Sequence, residues 1–268
     1  MRPSAVLWKR ILATPADADL KAKYVAALVT DNDWRGELYT LSAEYDKLRV
    51  SGYTNPAAKN KAAEIKPRLD SLFAQMRDDF APLSAAWGGV IHFIGGWPIE
   101  VTIAAGAFAH QAAEIVATIP LRHLDLTSIR EFPAVFDVAQ LEQIASLDGS
   151  RQTWSDEALH ALVGSPHVDA LRWLDLSQCS ITKEQVETLA ASEALRTVEI
   201  IDLSDNPTPD PCDASTGYGT DWMSGGIVPE SIQLPEFGAQ LEARFGKIRW
   251  LNPLWNYVND YPPSRYSF

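Results

Sequence analysis

Cysteine, catalytic motifs and long apolar runs are scarce in this chain, and each scarcity excludes something. Two cysteines in 268 residues, Cys179 and Cys212, are too few for a disulfide framework. Neither sits in a CxxC pair or beside a histidine at metal-ligand spacing, so both read as free thiols. No stretch approaches the roughly 18 consecutive apolar residues of a membrane span. The opening Met-Arg-Pro-Ser-Ala-Val-Leu-Trp-Lys-Arg has charge on both sides of a very short apolar patch, where a secretory leader needs a longer one. The expectation is a cytoplasmic protein without a membrane segment. The histidines His92, His110, His123, His160 and His167 form no HExxH or other ligand spacing, no Walker or G-x-S-x-G motif occurs, and Gly217-Tyr218-Gly219 lacks the third glycine of a dinucleotide turn. The reading is a protein that is not an enzyme and takes no cofactor or metal, with a hydrolase of unrecognised site as the alternative.

What is present begins with apolar content and charge. Hydrophobic residues make up 46% of the chain, enough for a substantial core. The net charge of −12 is unevenly spread: residues 1–80 hold 13 Lys/Arg against 11 Asp/Glu, which leaves 10 against 24 for residues 81–268. A field of that sign repels nucleic acid and anionic lipid and attracts basic partners, although it also serves plain solubility.

Apolar spacing divides the chain in two. Over residues 1–85 it is helical: Leu7, Ile11 and Leu12 form one stripe, Leu20, Tyr24, Ala27 and Leu28 a second, and Leu38, Leu41, Tyr45 and Leu48 a third. A fourth, from about Ala57 to Phe80, carries Ile65, Leu69, Leu72, Phe73 and Met76, with Pro67 as a potential kink. Plain helical-hairpin packing accounts for all of these residues.

Over residues 86–268 the pattern becomes L-x-x-L-x-L-x-x-N/C-x-L, the wording of a leucine-rich repeat. Leu171, Leu174, Leu176, Cys179 and Ile181 fill five positions; Val198, Ile201, Leu203 and Asn206 fill four; Leu121, Leu124 and Leu126 fill three. Weaker copies fall at Val101/Ile103 and Leu141/Ile144, and Phe245, Ile248 and Trp250 suit a closing strand. Helices are predicted over Phe108–Thr118, Asp156–Val163, Lys183–Ala191 and Leu234–Phe245, with Ser155 or Thr182 as N-caps. The predicted fold is α/β: a short leucine-rich-repeat solenoid, parallel strands inside and helices outside, preceded by an all-helical module and carrying an irregular insertion at 207–233 and a C-terminal cap.

The N-terminal module resembles that of bacterial leucine-rich-repeat proteins that begin with a repeat-companion domain. The resemblance rests on Ile11-Leu12-Ala13-Thr14-Pro15-Ala16-Asp17-Ala18-Asp19, on Tyr24-Val25-Ala26-Ala27-Leu28 and on Asp33-Trp34-Arg35-Gly36-Glu37-Leu38. The middle piece departs from the family's Tyr-Ala-Asp-Trp-Leu at Ala26 and Ala27. What the resemblance implies is architecture, without a defined chemistry.

Strand alternation then nominates a binding face, because residues flanking the inward leucines point the other way. Glu100, His123, Asp125, Trp173, Asp175 and Asp202 fall there, with Asp205 just beyond. Asp125, Asp175 and Asp202 form an acidic ladder. Leu-Asp-Leu-Ser is also common wording in such repeats, so solubility stands as the other reading of these aspartates. Tyr218 and Trp222, in the proline- and glycine-rich 207–233 stretch, are candidate aromatic anchors. The expected function is binding of a basic protein partner, most concretely as an inhibitor or immunity protein that masks a basic bacterial toxin. The alternative is a scaffold or adaptor in bacterial signalling.

Overall fold

The structure, a computed structural model, describes residues 3–52, 54–208 and 236–251. Among them are eight α-helices and six strands, four of the strands parallel, so the fold is α/β with a helical N-terminal region. Of the described residues, those up to Ile103 together with Gln111–Arg122 make one compact unit; Ala104–His110 and the described residues from His123 onward make the other.

The first unit opens with α1 (Pro3–Ala13), α2 (Ala18–Thr30), α3 (Trp34–Gly52) and α4 (Pro56–Trp87). The predicted stripes supply its core in part: Ile11, Leu20, Tyr24, Leu28, Leu38, Leu69, Leu72, Phe73 and Met76 are buried, whereas Leu7, Leu12, Ala27, Leu41, Tyr45, Leu48 and Ile65 are only partly covered. The quoted N-terminal motif residues have structural tasks. Asp17 accepts from the Leu20 amide at 2.8 Å as the N-cap of α2, and Asp33 accepts from the Arg35 amide at the start of α3. Gly36 lets α3 approach α2 closely, since a Cβ there would lie 2.8 Å from the Val29 nitrogen.

Helix α4 runs past the expected end at Phe80. Pro67 and Pro82 lie inside it without ending it, and Gly88, at φ 65°, closes it with its own amide on the Ala85 carbonyl and that of Gly89 on Ser84. A β-hairpin follows that the repeat search does not foresee: β1 (Val90–Ile94) pairs antiparallel with β2 (Trp97–Ala104). Gly95 and Gly96, at φ 58° and 85°, form its two-residue turn, which needs positive φ at both positions. Val101 and Ile103 are buried as expected, but in this hairpin. Helix α5 (Ala105–Thr118) follows it.

The second unit is built on β3 (His123–Thr127), β4 (Ser146–Asp148), β5 (Trp173–Asp175) and β6 (Ile200–Asp202). They are parallel and in register through Leu124, Leu147, Leu174 and Ile201, each buried. Helices α6 (Asp156–Val163) and α7 (Lys183–Ala191) lie where predicted. Ser155 caps α6, and Thr182 closes a reciprocal capping box with Gln185 on α7. Helix α8 (Glu236–Phe245) is the described part of the last predicted helix.

Two details differ from the sequence reading. The weak copy expected at Leu141/Ile144 lies three residues further on: Ile144 holds its first apolar position, matching Leu121, Leu171 and Val198, and the strand begins at Ser146. Between β3 and β4, where no helix is predicted, the connection is three 3-10 segments, Ile129–Glu131, Pro133–Asp137 and Ala139–Gln143. A 3-10 turn rises about 2.0 Å per residue against about 1.5 Å in an α-helix, so fewer residues cover the same length. The expected closing strand is also absent, because Arg249–Leu251 form a 3-10 turn with Trp250 and Leu251 buried. Exposed ion pairs Arg244–Glu187 and Arg249–Glu199 accompany this segment.

Candidate interaction face

The register of β3 to β6 sets out a grid. His123, Ser146, Trp173 and Ile200 stand side by side in one column, and Asp125, Asp148, Asp175 and Asp202 in the next. Two residues on lie Thr127, Ser150, Ser177 and Ser204. Neighbouring parallel strands are about 4.8 Å apart, so the four carboxylates run across the sheet at that interval. Of the nominated residues, His123, Asp125, Trp173, Asp175 and Asp202 are thus brought together, each partly exposed.

Asp148 and Ser150 were missed because Gly149 stands where the other repeats have Leu126, Leu176 and Leu203. The signal was there in Ser146-Leu147-Asp148-Gly149-Ser150, which is the Leu-Asp-Leu-Ser wording with glycine for leucine. Gly149 leaves room for the Trp154 indole: a Cβ there would lie 2.5 Å from Trp154 Cζ2, and Trp154 Nε1 donates to the Gly149 carbonyl at 2.9 Å.

The other nominated residues fall elsewhere. Glu100 is no part of an exposed face: it sits on β2 opposite His92 and is only 4% exposed, because β2 is covered on both sides over Pro98–Val101. Asp205 is exposed one turn past β6, where it accepts from Gln178 Nε2 at 3.2 Å. Tyr218 and Trp222 lie outside the described residues.

The aspartates also close the strand ends. Asp148, Asp175 and Asp202 each accept, through Oδ1, the amide of the residue two positions on, Ser150, Ser177 and Ser204, at 2.8 to 2.9 Å. The chain then turns through Ser128, Arg151, Gln178 and Asp205, all left-handed with φ between 56° and 58°. One position beyond these turns follows Gln152, Cys179 and Asn206, whose side chains tie adjacent repeats together. Gln152 Nε2 donates to the Leu126 carbonyl at 2.7 Å, and Cys179 Sγ to that of Gly149 at 3.1 Å. Asn206 Oδ1 accepts both the Cys179 and Ile181 amides at 2.9 Å, while its Nδ2 donates to Leu176 and Leu203.

Cys179 is therefore a structural thiol, 1% exposed and pushed up to about 11, chiefly by burial. A thiol reagent should modify it at least about 100-fold more slowly in the native protein than in denaturant. Equal rates would mean that the strand-end packing is open.

Burial raises the Asp175 carboxyl above its ordinary 3.8; the hydrogen bonds from Ser177 oppose this, and the like charges of Asp148 and Asp202 add to it. An acid whose folded pKa is raised adds stability below its ordinary value and loses that contribution as pH climbs through the raised one, so ionised Asp175 is a cost at neutral pH. Asp175→Asn keeps the Oδ1 acceptor and drops the charge. In urea titrations it should match or exceed the parent at neutral pH, and the difference should vanish near about pH 3. A variant weaker than the parent at neutral pH would remove like-charge strain from this face.

Among the described residues no cluster of His, Cys, Asp or Glu is placed to hold a metal ion, and no helix is long and apolar enough to cross a membrane. No protein-family model, no curated protein and no solved structure matches the chain.

Proposed function

We propose that the second unit is a short leucine-rich-repeat solenoid, that the helices before it are a repeat-companion module, and that the protein binds a basic protein partner without catalysis. The observation that carries this reading is the aspartate row, the partly exposed Asp125, Asp175 and Asp202 with the buried Asp148 between the first two, in register on one sheet face beside His123, Trp173 and Ile200. Holding like charges at strand spacing costs stability, and a cationic partner turns that cost into attraction. The half-buried Trp173 and Ile200 supply apolar contact next to the charge. The most concrete form of this role is an inhibitor or immunity protein that masks a basic toxin in a cytoplasmic setting.

The test is a pull-down from the native host with the full chain and with Asp148→Asn, Asp175→Asn and Asp202→Asn combined. Asparagine preserves the Oδ1 acceptor at each turn, whereas lysine at these positions would lose the turn as well as the charge. The expected partner is basic, is retained by the parent, and is lost from the triple variant although that variant melts normally. Its association should slow roughly tenfold or more between low and physiological salt, as steering is screened within about 8–10 Å. A partner of acidic surface, or one held equally by the triple variant, would overturn the reading.

A further inference from the structure

A second surface lies in the first unit, at the turn end of the hairpin formed by α3 and α4. Residues 47–63 contain four cations, Lys47, Arg49, Lys59 and Lys61, and no aspartate or glutamate. Lys47, Arg49 and Lys59 are exposed, and among the described residues none of the three has a carboxylate within ion-pair distance; Lys61 pairs with Glu44. At the border of the stretch, burial raises the Asp46 carboxyl and the nearby Arg49 opposes that rise. Val50 is 70% exposed, more than Val6, Val29 or Val90, the other large apolar side chains on the surface. Lys47 and Val50 are three residues apart in α3 and so share a helix face. Gly52 brings the end of α3 against the start of α4, where a Cβ on it would lie 3.5 Å from Lys59 Cα. Lys47, Arg49, Val50 and Lys59 are thereby gathered at one tip.

Helix stability does not account for this arrangement. Cations suit the last turn of a helix and acids the first. Arg49 in the last turn of α3 follows that rule, yet the opening turn of α4 holds no acid and carries Lys59. Solubility would be served by the cations without Val50. An anionic bilayer uses both, because the cations stay with the headgroups while the apolar side chain enters the interface. A nucleic acid would draw on the charge alone. The acidity that repels anionic lipid belongs to residues 81–268, whereas residues 1–80 are close to balance. Close contact is governed by the nearest charges, since fields are screened over about 8 Å at physiological ionic strength.

We propose that the tip of the α3 and α4 hairpin docks on an anionic membrane surface, with Lys47, Arg49 and Lys59 at the level of the lipid phosphates and Val50 at the boundary of the acyl chains. The contact is made at the surface by side chains and needs no spanning segment. It stands apart from the sheet face and its protein partner.

The test floats the full chain with vesicles of about 30 mol% phosphatidylglycerol in phosphatidylcholine, and with phosphatidylcholine alone, at about 0.1 M salt. The anionic vesicles should carry the protein and the neutral ones should not. Each cation near such a surface gives roughly a fivefold gain, so Lys47→Gln, Arg49→Gln and Lys59→Gln combined should lower the partition coefficient at least about tenfold. Val50→Ser leaves the charge unchanged and should lower it about threefold or more. Both variants should melt at the parent temperature, because all four residues are exposed. Should the triple variant fail to fold, Lys59→Gln alone serves, with a loss of about fivefold. Absence of flotation with anionic vesicles, equal flotation with neutral ones, or binding undiminished in a folded charge variant would overturn the proposal. So would an unchanged partition of Val50→Ser, which would leave a plain anion patch that a single-stranded oligonucleotide occupies equally well.

Discussion

Asn206→Ala should lower the stability of the second unit by about 2–4 kcal/mol, because one side chain serves five backbone groups at once. Its Oδ1 takes the Cys179 and Ile181 amides from the turn before α7, and its Nδ2 gives to the Leu176, Leu203 and Ser204 carbonyls. Alanine offers neither, and the partly buried amides of Cys179 and Ile181 lose their acceptor. Asn206→Asp separates the halves: it keeps an acceptor for the amides and faces the carbonyls with a charge, so it should also destabilise. Urea unfolding read by circular dichroism checks both, and an Asn206→Ala loss below about 0.5 kcal/mol would show that water replaces the side chain without penalty.

Gly149→Ala should cost about 1–3 kcal/mol by overpacking rather than by backbone strain. The new Cβ would meet Trp154 Cζ2 at 2.5 Å and Ile129 Cδ1 at 3.2 Å, while the Gly149 φ is not positive. Trp154 is stacked on Phe136 at 5.8 Å and bonded to the Gly149 carbonyl, so it cannot swing aside freely. The same alanine placed in a Trp154→Phe background should cost clearly less than in the parent, since the smaller ring leaves that space open. Equal costs in the two backgrounds would place the clash elsewhere.

Much of the architecture was legible because it is written in side chains that face inward. Leu171, Leu174, Leu176, Cys179 and Ile181 repeat a spacing that only a strand followed by a tight turn satisfies, and the capping residues Ser155 and Thr182 mark helix starts by a local hydrogen bond. What escaped was carried by absence or by relation. Gly149 erased one leucine from the pattern, so Asp148 went unread and the acidic row lost its second member. The hairpin at Gly95-Gly96 carries a readable turn signal, but Val101 and Ile103 also fit the repeat wording, and the two patterns compete for the same residues. Glu100 could not be read as buried from alternation alone, because both sides of its strand are covered. The ring cluster of Trp8, Tyr24, Tyr39 and Trp97 joins three helices and a strand, a proximity that no spacing in the sequence encodes.

The interval from Leu147 to Leu174 is 27 residues, as is that from Leu174 to Ile201, so the last two steps between neighbouring strands are equal. A stretch of gene that encodes one such step can be copied in tandem, and the longer product will still lie in register with itself. Each copy adds one aspartate to the row. The shorter connection between β3 and β4 shows where variation in length is absorbed, on the helical side and away from the carboxylates. Selection can thus lengthen the charged row by whole steps, and can trim the outer segments without disturbing it.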